Sequence, residues 1–174
     1  MSAMPVFTAI PHADILAMVR ILADAIPAGP DRPTHLVGIG RGGLVPAVYL
    51  SHATGLPMLS IDYSSQDDRL LAGAIPLLAE RSRVGERLLF VDDINDSGRT
   101  LARLRILLTS AGAAMDAVRF ATLIDNVGSA ARVDHAARTI DRATCKDWFV
   151  FPWETMAPDS AISADAAEVP GRTA

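Results

Sequence analysis

One cysteine, Cys145, and one lysine, Lys146, are all that this 174-residue chain has of either residue. A single thiol excludes an intramolecular disulfide and any zinc site built on several cysteines. The remaining positive charge is arginine, scattered along the chain, and the net charge is −4. That balance argues against nucleic acid as the main partner, which calls for a basic patch or stripe. Half of the residues are hydrophobic, yet no run approaches the ~20 apolar residues of a membrane span. The opening residues, MSAMPVFTAIPHAD, have neither a basic head nor a long apolar core and do not read as a secretory signal. A cytoplasmic protein with no membrane partner is the expectation. The histidines, His12, His35, His52 and His135, show no metal-ligand spacing. Cys145 has no evident base beside it, and no G-x-S-x-G element occurs.

What the chain does contain is a repeated alternation of short apolar runs and helical stripes. Leu36 to Ile39, Leu59 to Ile61, Leu88 to Val91 and Val118 to Ile124 read as buried strands, with weaker candidates at Val6 and Phe7 and at Thr139 to Asp141. Ile15, Met18, Val19, Leu22 and Ile26 recur at helical spacing. Further helices are expected from Leu44 to about Thr54, with Gly55 as C-terminal cap, and from about Leu101 to Ala111, ended by Gly112. Strands alternating with helices predict an α/β fold with a mainly parallel sheet covered on both faces. One domain over residues 1–154 fits the length. Residues 62–87 read as an irregular loop. Beyond Glu154 the chain is rich in Ala, Ser, Asp and Pro, and residues 155–174 are expected to form a mobile tail.

Two strand-to-helix loops carry the chemistry. The first, after Leu36 to Ile39, is Gly40-Arg41-Gly42-Gly43. Its glycines let the backbone approach an anion, and Arg41 supplies a fork of donors. No lysine follows these glycines, which excludes a Walker A loop. Gly38, Gly40 and Gly43 do satisfy G-x-G-x-x-G, and Asp62 follows the next strand, so a nicotinamide-dependent oxidoreductase is a competing reading. That reading has no use for the second loop, Asp92-Asp93-Ile94-Asn95-Asp96-Ser97-Gly98-Arg99-Thr100. The acids suit hydrated Mg²⁺ or sugar hydroxyls, and the Ser-Gly-x-Thr end suits a phosphate at a helix N-terminus. A solvated turn with Asp96 as N-cap would account for one aspartate, not for three and the glycine together. Isoprenoid synthases share the letters DDxxD, but they are all-helical and much longer.

VDDINDSGRT resembles the phosphoribosyl-diphosphate (PRPP) loop of type I phosphoribosyltransferases, closest to the branch that handles 6-oxopurines such as xanthine, guanine or hypoxanthine. The resemblance spans roughly residues 36–154. It implies the type I phosphoribosyltransferase fold with a small hood, Mg²⁺ as cofactor, PRPP and a purine-type base as ligands, and a homo-oligomer. Carried onto these positions, it gives Asp92 and Asp93 to the ribose hydroxyls, with Asp93 on the metal side. Asp96 falls where the family places its candidate general base. Asp96, Ser97, Gly98, Arg99 and Thr100 would wrap the 5′-phosphate. Gly40, Arg41 and Gly42 would hold the diphosphate, and a cis peptide is implied between Gly40 and Arg41. Residues 62–87 correspond to the hood, with Tyr63, Ser64, Ser65 and Arg69 as closing contacts.

KDWFVFPWE resembles the base-binding segment of the xanthine/guanine branch, with Trp148 as the stacking residue and Phe149 beside it. Phe149, Phe151 and Trp153 fit equally well as core filling. In TLIDNVGS the chain departs from the family, because Asp125 stands where a lysine usually donates to the base. An ionised aspartate only accepts. Three readings stay open. Asn126 or Lys146 replaces the donor, the base bears an amino group, or the protein is a non-catalytic PRPP or nucleotide sensor.

Overall fold

The computed structural model describes residues 6–63 and 68–167. Five strands make a wholly parallel sheet: β2 (His35–Ile39), β3 (Met58–Ile61), β4 (Leu88–Asn95), β5 (Val118–Asn126) and β6 (His135–Ile140). Their order across the sheet is β3-β2-β4-β5-β6. A separate parallel pair joins β1 (Phe7–Ala9) to β7 (Trp148–Val150). The helices are α1 (His12–Ala25), α2 (Gly40–Thr54), α3 (Asp68–Arg83), α4 (Arg99–Ser110) and α5 (Asp159–Ala167).

Strand alternation distributes the core between two faces. Leu89 and Val91 of β4 pack with Ile15, Met18, Val19 and Leu22 of α1 and Ala47 and Leu50 of α2. Leu88 and Phe90 point the other way, into Leu71, Ile75 and Leu78 of α3 and Leu101, Leu104 and Leu108 of α4. Parallel strands buried on both faces are continuous apolar runs, as Leu88 to Val91 is. The chain reverses direction across the sheet at β2, whose neighbours are β3 on one side and β4 on the other. In open α/β sheets the crevice at that reversal, outside the carboxyl ends of the strands, receives the ligand.

Several expectations are corrected. β4 does not stop at the aspartates but runs through Asp92 and Asp93 to Asn95. α2 starts at Gly40 rather than Leu44, so Gly40 to Gly43 form its first turn. No peptide bond among the described residues is cis; Gly40 instead makes the turn with φ 55°, open to a residue without Cβ. The stretch expected as an irregular hood loop contains α3, whose Leu71, Ile75, Leu78 and Ala79 are buried at helical spacing. Ser64 and Ser65 lie outside the described residues, as does the side chain of Arg69. The segment expected as a tail carries α5, with Ala166 buried. Gly55 caps α2 in the left-handed conformation, φ 71°, as expected.

Candidate functional site

The first turn of α2 follows β2, and the acidic loop follows β4, its immediate neighbour in the sheet. Both loops therefore open at the same carboxyl edge, and a cavity of about 520 Å³ lies between them. Gly40, Arg41 and Gly42 line it from one side, Asp92, Asp93 and Thr100 from the other. Trp148, at the start of β7, closes a further wall. Apart from the Arg99 N–H of α4, which lies 3.4 Å from Ser97 Oγ, no side chain caps the first turn of α2 or α4, the arrangement that binds phosphate at helix N-termini.

Two glycines make this closeness possible. A Cβ at Gly42 would meet the Asp93 carboxylate, and one at Gly43 would overlap the carbonyl oxygen of Val91. Gly98 is the N-cap of α4, so Asp96 is not, and its φ of 83° is left-handed. A Cβ there would lie 2.5 Å from the backbone nitrogen of Ala131. Both the backbone and the neighbouring loop exclude any larger residue at this point.

The carboxylates of the cavity are crowded. Asp92 accepts the N–H of Asp93 at 3.0 Å, and Asp93 accepts the N–H of Ile94 at 2.7 Å. Burial, then the charge of Asp93, holds Asp92 well above the usual carboxylate range. Burial, then the charge of Glu154, pushes Asp93 up to about 7, against hydrogen bonds that lower it. Desolvated like charges favour protonation unless a cation joins them. Hard, oxygen-only donors of this kind fit Mg²⁺. Among the described residues no group of three or more His, Cys, Asp or Glu side chains is placed to cage a metal. An ion here would thus take part of its shell from water and ligand, as Mg²⁺ commonly does.

Of the residues singled out from the sequence, Gly40, Arg41, Gly42, Asp92, Asp93, Thr100 and Trp148 converge on the cavity, as does Tyr63. Asp96 is not among the residues that line it. Arg142 holds its carboxylate, Nε to Oδ1 at 3.1 Å and Nη2 to Oδ2 at 3.3 Å, which leaves each oxygen able to accept a further donor. Ser97 and Arg99 are exposed on the same loop, and the Ser97 Oγ lies 3.4 Å from the Arg99 backbone nitrogen. Asp125 is also absent from the wall. It is buried and accepts from Asn95 Nδ2 at 2.7 Å, its register partner on β4. Asn126 is engaged too, donating to the Asp96 carbonyl and accepting from Gly128 and Arg142 N–H. Phe149 belongs to the core, with the Arg142 guanidinium 5.0 Å from its ring centroid. Lys146 is exposed.

Sequence reasoning missed part of the wall. Trp153, Glu154, Met156, Ala157, Ala161 and Ile162 all line the cavity. The acid closing KDWFVFPWE was the available signal for Glu154; the four residues after it lay in a stretch set aside on composition. Trp153 stacks on Phe151, centroids 4.9 Å apart, and its buried indole N–H is directed to the Asp93 carboxylate, one of the contacts that lower the pKa of that acid.

Residues 12–159 match the family model described as phosphoribosyl transferase domain. A xanthine-guanine phosphoribosyltransferase of Cereibacter sphaeroides is 32% identical over 134 residues, 72% of this chain and 73% of the relative. One from Desulfotalea psychrophila is 29% identical over 121 residues, 69% of each. Among solved structures, a purine phosphoribosyltransferase of Pyrococcus horikoshii aligns at a TM-score of 0.61 and 24% identity, covering 84% of this chain and 93% of that one. A Neisseria gonorrhoeae protein with bound ppGpp aligns at 0.63 and 20%, covering 95% and 97%.

Proposed function

The chain belongs to the type I phosphoribosyltransferase family, and from that premise we propose that it transfers the 5-phosphoribosyl group of PRPP to a purine-type base, 6-oxopurines favoured, with Mg²⁺ as cofactor. The carrying observation is the convergence of Arg41 with Asp92 and Asp93 on one cavity. One wall is cationic and glycine-lined, the other anionic, which suits a ligand with a diphosphate at one end and ribose hydroxyls at the other.

In this reading the bond from the anomeric carbon to diphosphate breaks as the base nitrogen bonds to that carbon. Arg41 and the first-turn N–H groups of α2 hold the diphosphate. Asp92 and Asp93 take the ribose hydroxyls, and Asp93 would be the residue that holds Mg²⁺. Mg²⁺, when bound, offsets the charge on the departing diphosphate. Ser97, Gly98, Arg99 and Thr100 receive the 5′-phosphate, and Asp96 accepts from the N–H of the base. Trp148 stacks on the base, and the apolar wall from α5 limits water at the reacting carbon.

The 6-oxopurine preference is supported by the names of the Cereibacter and Desulfotalea relatives. Asp125 fits it as well: its carboxylate is turned to Asn95 and lies off the cavity wall, so it does not face an oxo group there. We extend the reading to a cytoplasmic homo-oligomer; Leu44 and Val48, one turn apart on α2, are 40% and 37% exposed and offer an apolar contact.

The test is incubation with PRPP, Mg²⁺ and a panel of xanthine, guanine, hypoxanthine and adenine, following diphosphate release. Release that depends on an oxopurine is the expected result. Tight PRPP binding without turnover on any base would replace this reading with a regulatory PRPP or nucleotide binder.

A further inference from the structure

Arg142 lies two residues beyond β6, outside the cavity wall, yet it ties three parts of the site together. Its Nε and Nη2 grip both oxygens of Asp96, at 3.1 and 3.3 Å. Its Nη1 donates to the carbonyls of Cys145, at 3.2 Å, and Asp147, at 2.7 Å. Its backbone N–H donates to Asn126 Oδ1 at 3.2 Å, and Asn126 Nδ2 donates to the Asp96 carbonyl at 2.9 Å. The guanidinium also lies over the ring of Phe149.

This is unlike a surface ion pair. The side chains of Arg142 and Asp96 are 13% and 17% exposed, so the contact is largely desolvated and poorly screened. A guanidinium has five N–H donors in a fixed fork, and four of them are used here. The fork sets one geometry among the end of the PRPP loop, the turn after β6, and the residue immediately before Trp148. A lysine ammonium would reach one or two of these acceptors without fixing their mutual angle.

We propose that Arg142 is a positioning residue for the base: it fixes the Asp96 carboxylate relative to Trp148, so that a base stacked on Trp148 presents its N–H to Asp96. The inference rests on the transferase reading. It goes beyond that reading by assigning control of base handling, and not of PRPP binding, to a side chain outside the cavity wall.

The experiment compares Arg142→Met, which keeps an apolar stem over Phe149, with Arg142→Lys, Asp96→Asn and the double variant Asp96→Asn/Arg142→Met. For each, kcat and KM are measured separately for base and for PRPP, and Mg·PRPP affinity is measured by calorimetry. The expected result for Arg142→Met is a fall of about 30-fold or more in kcat/KM for the base, with Mg·PRPP affinity within about threefold of the parent. Arg142→Lys recovers part of the loss. In the Asp96→Asn background, Arg142→Met costs little more, because the two act as one unit.

Equal loss toward both substrates, or multiplicative effects in the double variant, would overturn the proposal. Should Arg142→Met fail to fold, Arg142→Lys with and without Asp96→Asn gives the same cycle. If the parent binds PRPP but turns over no base, the transferase reading fails separately. Guanine titrated against tryptophan fluorescence then decides: weaker guanine binding in Arg142→Lys with unchanged PRPP binding supports the positioning role, and unchanged guanine binding ends it.

Discussion

A Cβ on Gly42 would lie 2.5 Å from Oδ2 of Asp93, and one on Gly43 would overlap the backbone carbonyl of Val91. The two neighbouring glycines therefore answer to different parts of β4. Gly42→Ala meets a carboxylate that can turn aside, so folding should change by no more than about 1 kcal/mol. Moving that carboxylate should weaken Mg·PRPP binding by about tenfold, ~1.4 kcal/mol. Gly43→Ala meets rigid backbone and should destabilise the fold by about 1–3 kcal/mol or more. Urea unfolding and calorimetric titration with Mg·PRPP on both variants separate the two effects. A Gly42→Ala protein with parental affinity would remove Asp93 from the ligand's surroundings.

The acid pair makes stability depend on pH. Asp93 is raised to about 7 in the folded chain, chiefly by burial and then by Glu154, and Asp92 is raised as well. Between about pH 4, the usual carboxylate value, and pH 7, the folded state binds more protons than the unfolded one. Stability of the metal-free protein is thus greatest at the acid end of that window and falls as pH rises through 7. Thermal melts at pH 5 and pH 8 should show this loss, and Asp93→Asn should flatten it. Millimolar Mg²⁺ should restore stability at pH 8 and do little at pH 5, where protons already occupy the carboxylates. A parental melting temperature that rises between pH 5 and pH 8 would contradict the assignment.

A buried polar network supports the phosphate loop from behind. Asn95 Nδ2 donates to Asp125 and to the Ala131 carbonyl, both at 2.7 Å, and Ser129 Oγ donates to Asn95 at 3.0 Å. Ala131 and Ser129 are the residues that crowd Gly98. Asp125→Ala leaves a buried Asn95 donor short of a partner and should cost about 1–3 kcal/mol of stability. Its kinetic effect should fall on KM for PRPP, with the ranking of bases unchanged. An altered base preference would return Asp125 to the base pocket.

How much of this was legible in the sequence followed from local chemistry. The two loops were readable because glycine, aspartate and arginine have few structural reasons to cluster after apolar strands. The direction of Asp125 was not readable. It is set by a partner on β4 that no spacing along β5 reveals. α3 was hidden because the polar run Ser64 to Asp68 and Pro76 obscure the stripe of Leu71, Ile75 and Leu78. α5 was hidden because alanine and serine show little amphipathic contrast, so Ala161 and Ile162 gave no sign of the wall they form. The cis peptide failed for another reason: Gly40 reaches the same turn by a positive φ.

Trp148 and Phe151 separate stacking from packing within one short segment. Trp148 is half-buried and lines the cavity, whereas Phe151 is 2% exposed and sits in the core against Trp153. Base stacking on an aromatic side chain is worth about 1–3 kcal/mol. Trp148→Ala should therefore raise KM for the base by about 5- to 150-fold, while Trp148→Phe keeps most of the affinity because a π-face remains. PRPP affinity and unfolding free energy should change little in either variant. Phe151→Ala should do the reverse, costing about 3–5 kcal/mol of stability through its cavity and leaving the base KM of the folded fraction near the parental value. Paired kinetics and denaturation on the three variants settle which aromatic meets the ligand. Parental base affinity in Trp148→Ala would mean that the base binds elsewhere.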